Sequence, residues 1–374
     1  MILLACIQIL FGIDLPGLER ARVVPQAEQY LQQSPVTITS FPAPNSAGGR
    51  HEYYSEGDYW WPDPDHPEGP FIRKDGQTNP ANFVAHRHAL MQMSVQVSTL
   101  VAAYRLTHEE RFASHALAHL KAWFADSATA MHPHLNYAQA IRGRVTGRGV
   151  GIIDTIHLIE VVRAVEVLEE AHMLDEPDAE AVRRWFRDYL RWLTSHPYGL
   201  EERDAKNNHG TWWVAQVASF SRFVGDSAMM DSCRRRYKET LLPGQVGPDG
   251  GFPLELARTK PYAYSLFNLE GMALVCELLS SEHDNLWTYE LRDGRSIQRA
   301  LDFMFPFVQD KSRWEKPPDV MYYEDLPVRQ GAWLFAARAL EKAEFAELWR
   351  TLRADQTVEE IIRNFPVRQP VLWH

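Results

Sequence analysis

Cysteine is scarce in this sequence. Cys6, Cys233 and Cys276 are odd in number, far apart and without CxxC or His-paired spacing, so no disulfide framework, zinc ribbon or redox motif is expected to hold the fold. Long apolar runs are scarce too. The one at the start, Met1 to Ile13, is too short to span a bilayer as a helix. It also lacks the basic flank and the small-x-small site of a secretory signal. It reads as a buried N-terminal segment or the remains of a shortened leader, with residues 1–14 set apart for that reason. An excess of positive charge is absent as well: 39 Lys and Arg stand against 49 Asp and Glu, a net charge of −10. General attraction to nucleic acid or to an anionic membrane is thereby excluded, and an anionic ligand must be met by a local basic cluster. No Gly-rich phosphate loop follows a strand, so no nucleotide cofactor is indicated, and no other cofactor is expected.

What the chain does have is the composition of an ordinary globular protein, 45% hydrophobic and 24% charged over 374 residues, and one excess, twelve Trp. Apolar residues recur at three and four over 84–107 and 110–125, a helix pair joined by a short polar turn. The pattern returns at 150–172 with 178–195, 209–223 with 226–241, 264–281 with 296–309, and 327–343 with 345–364. Asp175 to Asp178 supplies turn and N-cap chemistry inside the second pair. No stretch keeps a period of two, so strands should be few and short. About ten paired helices without a repeated signature suit an all-α toroid of helical hairpins, taken as a single domain over 1–374. The long connections 40–82, 126–149 and 242–263 would form the cleft.

Four segments in or beside these loops carry chemistry. Lys206 to Trp213 (KNNHGTWW) sets Asn207, Asn208 and His209 at a helix start, where free N–H groups favour an anion, although either Asn also serves as a plain cap. Pro253 to Tyr264 offers Arg258, Lys260, Tyr262 and Tyr264, two cations and two phenols, and a phenol beside cations loses its proton more easily. Asn136 to Gly149 adds Asn136, Gln139 and three arginines, Arg148 among them. His51 to Pro64 is dense in carboxylates and aromatics, with Tyr59 and Trp60 suited to stack on sugar rings. The pairs His86-x-His88, His132-x-His134 and His115-x3-His119 lack a carboxylate or Cys at ligand spacing, so no metal site is expected. The acidic stretch 201–204 and the charges from Arg353 to Arg363 read as solvated faces.

In order, SEGDYWWPDP, RKDGQTNPANF, NYAQAIRGRVTGRG, NNHGTWW and ELARTKPYAYSLFNLEG resemble the alginate lyase superfamily, closest to polysaccharide lyase family 38 and more distantly the family 5 alginate lyases. The likeness runs from about residue 15 to the C-terminus. It implies an (α/α) toroid or incomplete barrel and β-elimination on an acidic polysaccharide, alginate with mannuronate units, or glucuronan by the same mechanism. It places the family's Asn-His pair on Asn208 and His209, its Arg on Arg258, its catalytic Tyr on Tyr264 with Tyr262 as competitor, and its amide-bearing loop on Asn136 and Gln139. Arg148, Lys260, Tyr59 and Trp60 join them as substrate-binding candidates. It also implies a secreted or periplasmic protein. An inverting glycoside hydrolase, with a carboxylate pair drawn from Asp58, Asp63, Asp154 and Glu255, is the alternative enzyme, and a catalytically dead carbohydrate-binding protein the alternative class.

Overall fold

A computed structural model describes residues 9–10 and 13–373; the opening Met1 to Ile13 lies outside them but for Ile9, Leu10 and Ile13. The helices are α1 (Leu15–Tyr30), α2 (Ala85–Thr107), α3 (Glu110–Phe124), α4 (Leu158–Glu170), α5 (Glu176–Ser195), α6 (Pro197–Arg203), α7 (Asn208–Val224) and α8 (Ser227–Arg236), then the single turns α9 (Leu242–Gln245) and α10 (Pro253–Leu256), and α11 (Pro261–Leu279), α12 (Ile297–Gln309), α13 (Gly331–Leu340), α14 (Ala343–Thr351) and α15 (Glu359–Asn364).

They form two layers. α2, α4, α7, α11 and α13 follow one another side by side as an inner ring, with α1, α3, α5, α8, α12 and α14 packed outside. The sequence dictates which helix takes which layer. Every residue of α11 except Glu277 is buried, as a helix with apolar or small residues on all sides requires. α5 buries only a stripe, Ala179, Val182, Trp185, Phe186, Tyr189, Leu190 and Leu193, and turns its charges to water. One hydrophobic cluster runs from Ile13 to Trp373, and the arrangement is the (α/α) toroid expected. Among the described residues no helix is long and apolar enough to cross a membrane.

The hairpins are cut by local chemistry. The α7 helix stops at Gly225, whose φ of 80° only glycine adopts freely, and the Asp226 side chain accepts the Met229 N–H at 2.9 Å to start α8. Asp175 does the same for α5, accepting from Asp178 N–H at 3.1 Å. Two expectations need correction. The helix foreseen over 345–364 breaks between α14 and α15, because the Arg353 carbonyl accepts the Arg329 N–H and its guanidinium donates to the Asp325 carbonyl, which draws the chain out of helix. The one foreseen over 150–172 begins as a 3-10 turn, Gly149–Thr155, before α4. In addition α1, with Pro16, Pro25 and a weak apolar stripe, escaped notice.

Strands are as short as expected. β1 (Ile9–Leu10) and β2 (Ile13–Asp14) pair antiparallel, β3 (Tyr54–Glu56) lies parallel to β6 (Tyr137–Ala140), and β4 (Trp60–Trp61) pairs antiparallel with β5 (Ile72–Arg73). The last two pairs draw loops 40–82 and 126–149 onto the same end of the ring.

Candidate active site

A cavity of about 250 Å³ opens at that end, between the starts of α7 and α11, the Gln139 loop and α15. At the start of α7, Asn207 occupies the cap position but its side chain makes no capping bond. Glu255 acts instead, its carboxylate accepting the Asn208 N–H at 2.7 Å. His209 follows, with Nδ1 2.6 Å from Glu202 Oε1. Burial pushes the Glu202 carboxyl above its usual range and the imidazole pulls it back. A carboxylate on Nδ1 keeps the ring proton there, and so leaves Nε2 as the basic nitrogen. Gly210 lets this corner close: a Cβ there would stand 2.2 Å from the Ala205 carbonyl oxygen.

From α11, Tyr264 enters the cavity with its hydroxyl donating to Tyr59 Oη at 2.8 Å. The Arg258 guanidinium lies 4.3 Å from its ring centre. Burial nevertheless holds the phenol well above the usual tyrosine value, Arg258 and the bond to Tyr59 opposing it, so the sequence expectation of an easily ionised phenol is corrected for the free site. Arg258 is itself engaged, Nε and Nη2 donating to the two Asp75 oxygens at 3.1 and 2.9 Å. Burial raises the Asp75 carboxyl, but Arg258 and Arg73 outweigh it and hold it down at about 2. The turn behind Asp75 depends on Gly76 at φ +73°, where a Cβ would meet Thr259 Oγ1 at 2.4 Å.

The floor is built around Gln139. Its φ of 48° is in the left-handed region, unusual for a residue with a side chain. The conformation is over-determined: its N–H donates to Ser55 Oγ at 2.9 Å, its amide to Asp154 at 3.1 Å, and Arg148 donates to its carbonyl and its Oε1 at 2.9 and 3.0 Å. Arg148 forms no ion pair among the described residues, and its guanidinium lies 5.9 Å from the Trp60 ring centre. Below, the Asp58 carboxylate takes a fork from Arg87 at 3.0 and 2.7 Å and a contact from Arg363 at 2.7 Å. Burial works against its charge, yet the two arginines hold it at about 2.

Of the residues singled out in the sequence, Asn208, His209, Arg258, Tyr264, Gln139, Arg148, Tyr59 and Trp60 all line this cavity. Three do not. Tyr262 is wholly buried on the far side of α11, its hydroxyl donating to the Phe307 carbonyl at 3.0 Å. Residues two positions apart on a helix differ by about 200° in direction, so both phenols cannot face one cleft. Lys260 is 1% exposed and paired with Glu360 at 3.1 Å, behind the Tyr59 ring. Asn136 turns away to accept from Trp192 Nε1 at 3.0 Å.

Others went unnoticed. Glu202 was read as part of a solvated stretch but is 1% exposed, and Arg363, read the same way, lines the cavity with Asn364 and Arg73. The run RKDGQTNP marked the Arg73–Asp75 turn without assigning it a role; nothing in the sequence marks Arg363. The carboxylates proposed for hydrolysis are engaged by other groups, Asp63 by the Asp65 N–H at 3.0 Å. Asp58 is tied to arginines, Asp154 accepts from Tyr53, Ser55 and Gln139, and Glu255 caps α7.

Comparison with known proteins bears on the chain as a whole. The family model described as alginate lyase matches residues 37–314. An alginate lyase from Bacteroides ovatus has a solved structure that superposes with a TM-score of 0.82 at 30% identity, covering 95% of this chain and 92% of that one. Alginate lyase A1-III, solved as a histidine variant complexed with a tetrasaccharide, has the same fold at 18% identity and a TM-score of 0.59, with 94% of each chain covered. Its tyrosine variant, also complexed with a tetrasaccharide, gives 0.56 at 18% identity, over 96% of this chain and 94% of that one. No curated protein sequence matches.

Proposed function

The chain belongs to the alginate lyase family and is a polysaccharide lyase, and from that premise we propose that it cleaves alginate by β-elimination in the cavity between α7, α11 and the Gln139 loop. What carries the reading is the convergence there of the Tyr264 phenol, a carboxylate-backed imidazole, the amides of Asn208 and Gln139, and several guanidinium groups.

The proton at C5 of a uronate is poorly acidic while the neighbouring carboxylate is ionised, so neutralising that carboxylate comes first. Arg148, of the cavity's arginines the one without an ion pair among the described residues, takes this task with the amides of Asn208 and Gln139. They also hold the enolate-like charge that develops, which is where differential stabilisation acts. Arg258, its fork filled by Asp75, orients the Tyr264 ring instead. The C5–H bond then breaks with its proton passing to a base, the C4–C5 double bond forms, and the C4–O4 bond breaks as O4 takes a proton. No water adds, and the new end carries a 4,5-unsaturated ring.

On mannuronate, H5 and O4 lie on one face, and Tyr264 serves as base and then acid; mannuronate is the preferred unit in this reading, and glucuronate shares its geometry. Because burial holds the phenol up, the rate on polymannuronate should climb with pH into the alkaline range. The contact between Glu202 and His209 favours a second reading for guluronate, where the two groups lie on opposite faces: His209 takes H5 and Tyr264, protonated, gives to O4. Purified protein with polymannuronate, polyguluronate or glucuronan, followed by the ultraviolet absorbance of the unsaturated acid, tests both. A rise establishes elimination and ranks the substrates. Reducing ends without that absorbance would mean hydrolysis and defeat the proposal.

A further inference from the structure

We propose that Glu52, His132 and His134 form a divalent-cation site, suited to zinc, that fastens together the two loops carrying the floor of the cleft. Spacing alone offered His132-x-His134 without a carboxylate. The fold supplies one from 80 residues upstream. One ligand atom from each of the three side chains lies within 4.8 Å of the others. The two carboxylate oxygens divide between the rings: His132 Nδ1 is 2.7 Å from Oε1 and His134 Nε2 is 2.9 Å from Oε2. The second contact is close without being a hydrogen bond, since Glu52 Oε2 is buried and has no hydrogen-bond partner among the described residues.

Two imidazoles and a carboxylate are the N,N,O donor set that zinc takes in tetrahedral sites, with water as fourth ligand. The half-exposed His132 leaves a side open for that water. The His132 ring is stacked on His51 at 5.5 Å, and His51 is itself fixed by a 2.7 Å bond between Nδ1 and the Ala130 carbonyl. Ligation through His134 Nε2 puts the ring proton on Nδ1 and gives up one contact, the 3.5 Å approach of the Asn136 N–H. None of the three lines the catalytic cavity. Glu52 lies just before β3 and His134 just before β6, so the ion would clamp the start of the parallel pair whose members include Ser55 and Gln139.

The test uses the full chain without a polyhistidine tag, dialysed against a chelator and titrated calorimetrically with zinc chloride, and separately with calcium chloride. One equivalent of zinc should bind saturably and raise the melting temperature, and calcium, which wants oxygen ligands, should not bind. His132→Ala and Glu52→Gln should each weaken zinc binding at least tenfold, while His66→Ala, an exposed histidine elsewhere, leaves it intact. Absence of saturable zinc binding to the unaltered chain overturns the proposal, as does an affinity unchanged in both site variants.

Discussion

Glu202 sets which nitrogen of His209 is left free of a carboxylate. Its carboxylate, wholly buried and 2.6 Å from Nδ1, fixes the tautomer and ring orientation from behind. Replacing it by Gln keeps an acceptor and removes the charge, so kcat on polyguluronate should fall at least about tenfold with KM within about twofold. A steady-state comparison of the two parameters checks this; equal losses in both, or a lowered melting temperature alone, would assign Glu202 to structure. The cavity's lining was legible in the sequence where the residue type itself suggested it, as at His209, Tyr264 and Arg148. It was not legible where the role came from a partner far away in the chain. Arg258 was legible as a cation beside two phenols, but its partner Asp75, 183 residues upstream, was not. Lys260 and Tyr262 carried suitable groups, but helix phase and a buried pair with Glu360 remove them from the cleft.

At the scale of elements, two inner helices are joined by a buried carboxylate that accepts from backbone N–H groups. Glu270 of α11 accepts from Gly331 and Ala332 at the start of α13, at 3.0 and 2.8 Å. Burial outweighs these bonds and raises its carboxyl from 4.5 to about 7. The folded state therefore binds a proton more tightly than the unfolded chain. The stability this confers is fully present below pH 4.5 and is lost as pH rises through about 7. Glu270→Gln should accordingly cost more stability at pH 5 than at pH 8, a difference read from urea unfolding at the two pH values. A cost independent of pH would contradict the assignment. The hairpins were legible because an outer helix must keep one apolar stripe and an inner one is apolar throughout. The break between α14 and α15 was not, since it depends on hydrogen bonds to the 325–329 loop. Arg363 lies on α15, beyond that break, and lines the cavity from there.

For the molecule as a whole, a net charge of −10 is reconciled with an anionic substrate by geometry. Arg73, Arg148, Arg258 and Arg363 converge on one end of an acidic toroid, and of these Arg148 alone has no ion-pair partner among the described residues. The ring supplies rigid helix starts at α7 and α11, and the loops tied by β3 with β6 and β4 with β5 supply the floor and the aromatic wall. This division explains why the sequence pointed to the right loops and yet misplaced Asn136, whose neighbour Trp192 belongs to the outer layer. The claim that elimination runs through the Tyr264 hydroxyl is tested most directly by Tyr264→Phe, which keeps the ring against Arg258 and removes only the acid-base group. With polymannuronate as substrate, followed by absorbance of the unsaturated product beside a calorimetric titration of the same polymer, kcat should drop by about 10²- to 10⁴-fold with binding nearly unchanged. A variant that turns over polymannuronate at near the unaltered rate would contradict the account.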